Sequence, residues 1–186
     1  MDNPSRILTT LDQHLQKITR LVLFGRAAIY LGFEGAPRDV AKSQDVDVII
    51  PVGDVLADDG DFWEAQQRTN SVLEDAGLYI THLFSSDQVF LRRSWEKTIV
   101  PIYRPPTERL QLFRPATLDL ILTKMMRGKD AQDLADVEFM VRHDRITSPQ
   151  IEAAFLEAVL PEVPELKEAF ETAQPLVRKI VQSSQL

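Results

Sequence analysis

The 186-residue chain is long enough for one domain with a helical extension, and its 44% apolar and 26% charged side chains are ordinary for a folded globular protein. The absence of cysteine excludes disulfides, thiolate zinc sites and cysteine nucleophiles, and three scattered histidines (His14, His82 and His143) argue against a histidine-rich metal centre. A net charge of −7 argues against binding an extended nucleic-acid duplex.

Apolar residues Ile7, Leu8, Leu11, Leu15 and Ile18 predict a first helix from Pro4 or Ser5 to about Thr19. Leu21 to Phe24 reads as a strand that Gly25 breaks, and Ala27 to Leu31 favour one or two helical turns. A second strand, Val46 to Ile50, ends where Pro51 removes a ladder donor. Asp45 and Asp47 are two apart on it, so they project from one face, roughly 6–7 Å apart along the backbone. Two anions side by side on an apolar strand repel one another unless a cation sits between them. The spacing suits Mg²⁺, which takes carboxylates together with phosphate oxygens.

Gly53 to Gly60 reads as a loop whose acids (Asp54, Asp58, Asp59, with Asp61 beyond) are solvated. Phe62 to Ala76 reads as a helix with Trp63, Gln66 or Gln67, and Leu73 inward, closed by Gly77. Strands are predicted at Leu78 to Phe84, with His82 half-buried, at Val89 to Leu91, at Thr98 to Val100, and at Leu110 to Phe113. Helices follow near 115–127, 130–142, 148–159 and 162–182, the last broken around Pro175. The expected class is α+β, a mixed sheet flanked by helices over 1–114 with a helical C-terminal part over 115–186. Trp63 and Trp95 are expected in the core or at its rim, with base stacking as the alternative for Trp95.

Charge is uneven. Residues 85–129 hold 9 basic and 4 acidic side chains, while the segments on either side are each at −6. That basic stretch suits either a grip on a nucleoside triphosphate or an RNA end, or a set of solvated arginines on strand edges. No apolar run approaches the ~20 residues of a membrane span. The start, Met1 to Arg6, lacks the basic-then-apolar build of a signal peptide, so a cytoplasmic location is expected.

Strand, Gly25, helix, then Asp45-Val46-Asp47 with Ser43 just ahead resembles the nucleotidyltransferase superfamily of the DNA polymerase beta type. A second block, Leu120 to Arg127 followed by Asp133-Leu134-Ala135-Asp136, resembles small bacterial members related to abortive-infection toxins. The resemblance implies an enzyme that moves NMP from an NTP to an RNA (a tRNA end among them), protein or small-molecule acceptor. It implies Mg²⁺ or Mn²⁺ on Asp45 and Asp47, and nucleotide contacts from Gly25, Arg26, Ser43, Lys124 and Arg127. Asp133 and Asp136 would brace the basic residues, although Asp130, Asp133 and Asp136 also read as a helix cap and surface partners of Arg127 and Lys129. The third carboxylate of the family would be Asp87, which reads equally as part of a turn, Ser85 to Gln88. Arg26 departs from the pattern, since the family usually has Gly or Ser there; an arginine either reaches the phosphates or blocks them. A second class of reading follows from these two departures: a catalytically degenerate relative that binds a nucleotide or a protein partner.

Overall fold

Helix α1 (Asn3–His14) starts where Asp2 accepts a hydrogen bond from the Ser5 amide at 2.8 Å, with Pro4 in its first turn. It stops five residues before the predicted Thr19. Leu15 is already extended, Thr19 enters the sheet by donating to the Arg109 carbonyl at 2.9 Å, and Ile18 is exposed. The computed structural model describes residues 1–51, 53 and 59–185, except for the side chains of Thr81 and His82. The predicted loop acids Asp54 and Asp58, and the expected half-buried setting of His82, lie outside the described residues.

The mixed central sheet has five strands in the order β3-β2-β1-β6-β5. They are β1 (Thr19–Phe24), β2 (Asp45–Ile50), β3 (Tyr79–Ser85), β5 (Val100–Ile102) and β6 (Leu110–Arg114). β1 pairs parallel with β6 and antiparallel with β2, while β2 pairs parallel with β3 and β5 antiparallel with β6. β1 takes the centre because Leu21, Val22, Leu23 and Phe24 are all buried, the continuous apolar run of a strand covered on both faces. Helices α1, α2 (Gly25–Gly32) and α3 (Gly60–Leu73) pack with these strands. In α3 the buried face is Phe62, Ala65, Thr69 and Leu73; Leu73 is inward as expected, but Phe62 takes the place of Trp63. Asp59 caps the helix, and Trp63 sits edge-on to Phe62 at 5.4 Å. Gln66 donates to the Ile80 carbonyl at 2.7 Å instead of entering the core.

Asp12 of α1 ties the helix to the approach to β6. Its carboxylate accepts the backbone N–H groups of Glu108, Arg109 and Leu110 at 2.9, 2.8 and 2.7 Å. Asp12→Ala strands three donors at once, and a buried unsatisfied donor costs about 1–3 kcal/mol. A loss of about 2–3 kcal/mol is therefore expected in urea unfolding. Asp12→Asn, which keeps one acceptor oxygen, should lose less.

The chain forms two compact units, one of 1–85 with 99–114 and the other of 86–98 with 115–186. The second contains β4 (Leu91–Arg92), α4 (Thr117–Lys124), α5 (Ala131–Asp144), α6 (Ser148–Glu157), β7 (Ala158–Val159) and α7 (Pro164–Ser183). The predicted strand Val89 to Leu91 is thus a two-residue strand of a separate two-stranded sheet, paired with β7. Phe90, Phe155 and Phe170 meet edge-to-face in this unit, at 5.5 and 5.7 Å between ring centres. α7 runs through Pro175 without the expected break. Phe170, Ala173, Val177 and Val181 hold its inner face, whereas Pro175 lies on the exposed side. Among the described residues no helix is long and apolar enough to cross a membrane.

Candidate functional site

β1 passes directly into α2 at Gly25, whose φ of +65° is a left-handed conformation open to glycine at little cost. Asp47 stands opposite, since its Cα partner across the β1–β2 ladder is Phe24. A Cβ added to Gly25 would fall 2.6 Å from the Asp47 Oδ2. The missing side chain is therefore what lets this carboxylate lie against the strand-to-helix turn. Asp45, two residues earlier, accepts a hydrogen bond from the Ser43 hydroxyl at 2.9 Å on Oδ1. Both acids are half-buried and alternate with the buried Val46 and Val48. On the other side of β2 the register shifts: Asp45 pairs with Tyr79, but Asp47 pairs with His82. Such an irregularity increases local twist and re-aims side chains.

Arg26 follows Gly25 in α2, and its guanidinium is ion-paired with Asp39. The Arg26 side chain is 17% exposed and that of Asp39 64%. The hydrogen bond from Arg26 holds the Asp39 carboxyl below its ordinary value. Asp39 immediately precedes a short 3-10 turn, Val40–Lys42, which leads to Ser43 and Asp45. Nothing local in the sequence marks Asp39 as Arg26's partner, because the rest of α2 and a loop without a recognisable motif lie between them.

The second sequence block folds as a cluster in the second unit. The Lys124 ammonium donates to Asp133 at 3.0 Å and to Asp136 at 2.7 Å, and Arg127 donates to Asp133 at 2.6 Å. Lys124 is 8% exposed and the two carboxylates 5% each, while Arg127 is 57% exposed. Asp130 caps α5 by accepting from the Asp133 amide, and it also pairs with Arg127 at 3.3 Å. Burial pushes the Asp133 carboxyl upward, but Arg127 and Lys124 outweigh it and hold the group below its usual value. Asp87 lies on an exposed single 3-10 turn, Ser86–Gln88, directly after β3.

Within the basic stretch, three arginines are held by the protein itself. Arg92 forks onto the fully buried Asp119 at 3.0 and 2.7 Å. Arg104 donates to the carbonyls of Tyr30, Leu31 and Phe33 at 3.0–3.3 Å, at the negative end of α2. Arg114 donates to the Gly32 carbonyl at 3.3 Å and lies over the Phe33 ring at 4.0 Å. A side chain at Gly32 would meet Arg114 at 2.4 Å. Trp95 is buried, in keeping with a core position and not with a stacking platform.

Gly25, Arg26, Ser43, Asp45 and Asp47 thus come together in the first unit, and Lys124, Arg127, Asp133 and Asp136 come together in the second. Among the described residues no group of three or more His, Cys, Asp or Glu side chains is placed to hold a metal ion. The pair Asp45 and Asp47 still fits Mg²⁺, which is commonly held by one or two carboxylates plus the phosphates of a substrate. A family described as a nucleotidyltransferase of unknown function, DUF6036, matches residues 5–171. No curated protein and no solved structure matches the chain.

Proposed function

The chain belongs to the nucleotidyltransferase family of unknown function DUF6036, and from that premise we propose that it transfers NMP from an NTP to an acceptor hydroxyl. The observation that carries this reading is the Asp47 carboxylate packed against Gly25, with Asp45 two residues away on the same strand. Asp45 and Asp47 would hold Mg²⁺ or Mn²⁺. That ion, when bound, would offset the phosphate charge and make the attacking oxygen more acidic. The hydroxyl oxygen forms a bond to the α-phosphorus, the bond from that phosphorus to the bridging oxygen breaks, and pyrophosphate leaves with the electron pair. Ser43 orients Asp45, and Arg26 supplies positive charge toward the triphosphate. The hydroxyl proton passes to water, and Asp87 remains our candidate for the third carboxylate of the family pattern. We assign Lys124 to bracing α5 through Asp133 and Asp136, because its ammonium is buried between them. Arg127, more than half exposed, keeps a surface to offer an anion.

The acceptors to screen are RNA, with tRNA first, protein, including the chain itself, and small-molecule hydroxyls. Each of the four α-labelled NTPs should be supplied in turn with millimolar Mg²⁺ or Mn²⁺. Label is expected to enter one acceptor class and to be lost with Asp47→Asn. Incorporation that is equal in wild type and Asp47→Asn would defeat the assignment.

A second reading has its own support. The five strands of the central sheet carry no carboxylate other than Asp45 and Asp47. A site with only these two would bind a nucleotide for recognition or for a protein partner, without transferring it. Under that reading an NTP with Mg²⁺ raises the melting temperature, by about 2.7 kcal/mol of stabilisation at a hundredfold excess over Kd, while no label moves.

A further inference from the structure

We propose that the Arg26–Asp39 ion pair is an exchangeable latch: Arg26 releases Asp39 and takes a phosphate group of the incoming triphosphate, so that Asp39 competes with substrate for one guanidinium. The proposal rests on the nucleotide-binding reading of the Gly25–Asp47 turn and adds Asp39 as a residue that sets affinity there.

Three observations support it. Arg26 stands next to Gly25, the residue against which the Asp47 carboxylate packs, so its backbone is anchored beside the expected phosphate position. The pair is lopsided, with Asp39 64% exposed and Arg26 17%. On its exposed Asp39 side the pair is open to solvent and screened by salt, whereas a planar guanidinium holds phosphate in the same forked manner as carboxylate and against a larger charge. Finally, the loop does not depend on the pair for its position. Val40, the next residue, is fully buried, the Lys42 amide donates to the Asp39 carbonyl at 3.1 Å, and Asn3 donates to the Lys42 carbonyl at 3.4 Å. Asp39 can therefore swing out while Ser43 and Asp45 stay in place.

The test uses tripolyphosphate, which has the charge of the substrate tail but no base, titrated calorimetrically into the full chain. Asp39→Asn removes the competitor and should tighten binding by about threefold to fivefold, the upper range for an ion pair with an exposed partner. Arg26→Gln should weaken it by about tenfold or more, with Arg26→Lys in between because it keeps charge but loses the fork. Urea unfolding of the same variants shows whether each remains folded, and Arg26→Lys serves if Arg26→Gln does not. Binding unchanged or weakened by Asp39→Asn would make the pair a fixed tether and overturn the latch. Binding indifferent to both Arg26 variants, or absent in the wild type, would overturn it too. Label transfer from NTP is scored separately. Transfer with an unresponsive Asp39→Asn overturns the latch alone. A responsive latch without transfer supports the latch and overturns the transfer reading.

Discussion

Lys124→Ala is expected to destabilise the fold by about 3–5 kcal/mol in urea unfolding, the range found when one partner of a buried ion pair is removed. The reason is geometric. Asp133 and Asp136 have side chains only 5% exposed, and the ammonium lies 3.0 and 2.7 Å from them. Without it their negative charges remain in a medium that solvates them poorly. Asp133 keeps Arg127, at 2.6 Å. The acid dependence follows from sign. Asp133 is held below its ordinary value, so its contribution is complete above the unfolded-state value of about 3.9 and is lost as pH falls through the lower folded one. Wild-type stability should therefore shed this contribution only below about pH 4. In Lys124→Ala this contribution should be smaller and should be exhausted at a higher pH, since one of the influences lowering Asp133 is gone. Asp133→Asn should flatten that part of the curve. Unchanged unfolding together with weakened NTP binding would instead place Lys124 on the triphosphate.

Gly25→Ala should separate stability from function. A φ of +65° costs an alanine about 1–2 kcal/mol, and the new Cβ would stand 2.6 Å from the Asp47 Oδ2, so the carboxylate must move. Displacing a group at a reacting centre by about 1 Å can cost 10²-fold, and a loss of that order is expected in NTP-dependent labelling. Gly77→Ala is the control. Its φ is +63° and its Cβ would meet nothing within 4 Å, so it carries the same backbone cost without touching Asp47. Equal loss of labelling in the two variants would show that Gly25 matters only for folding.

Much of the first unit was readable from local pattern. Leu21 to Phe24, the Gly25 break, the short helix and the Asp45-x-Asp47 strand are each set by residues within a few positions of one another. All four fold as these local patterns predict. Where local pattern failed, an anchor outside the window decided. Thr19 is drawn into the sheet by its hydrogen bond to the Arg109 carbonyl far along the chain, and packing turns Phe62 rather than Trp63 inward in α3. Pro175 was read as a break, but the breaking effect of proline is outweighed where the opposite face of the helix is packed.

By itself, then, the sequence determined the strand–glycine–helix turn, the shared face of Asp45 and Asp47, and the mixed sheet followed by helices, because each depends on backbone geometry and spacing along the chain. Only the tertiary structure decided which charges meet. It buried Lys124 between Asp133 and Asp136, gave Arg26 to Asp39, turned Arg104 and Arg114 onto the end of α2, and brought Asp12 to amides nearly a hundred residues away. An ionic side chain reads the same in sequence whether it faces water, a phosphate or a buried carboxylate. What separates these cases is desolvation and the partner that offsets it, and both are properties of packing in three dimensions.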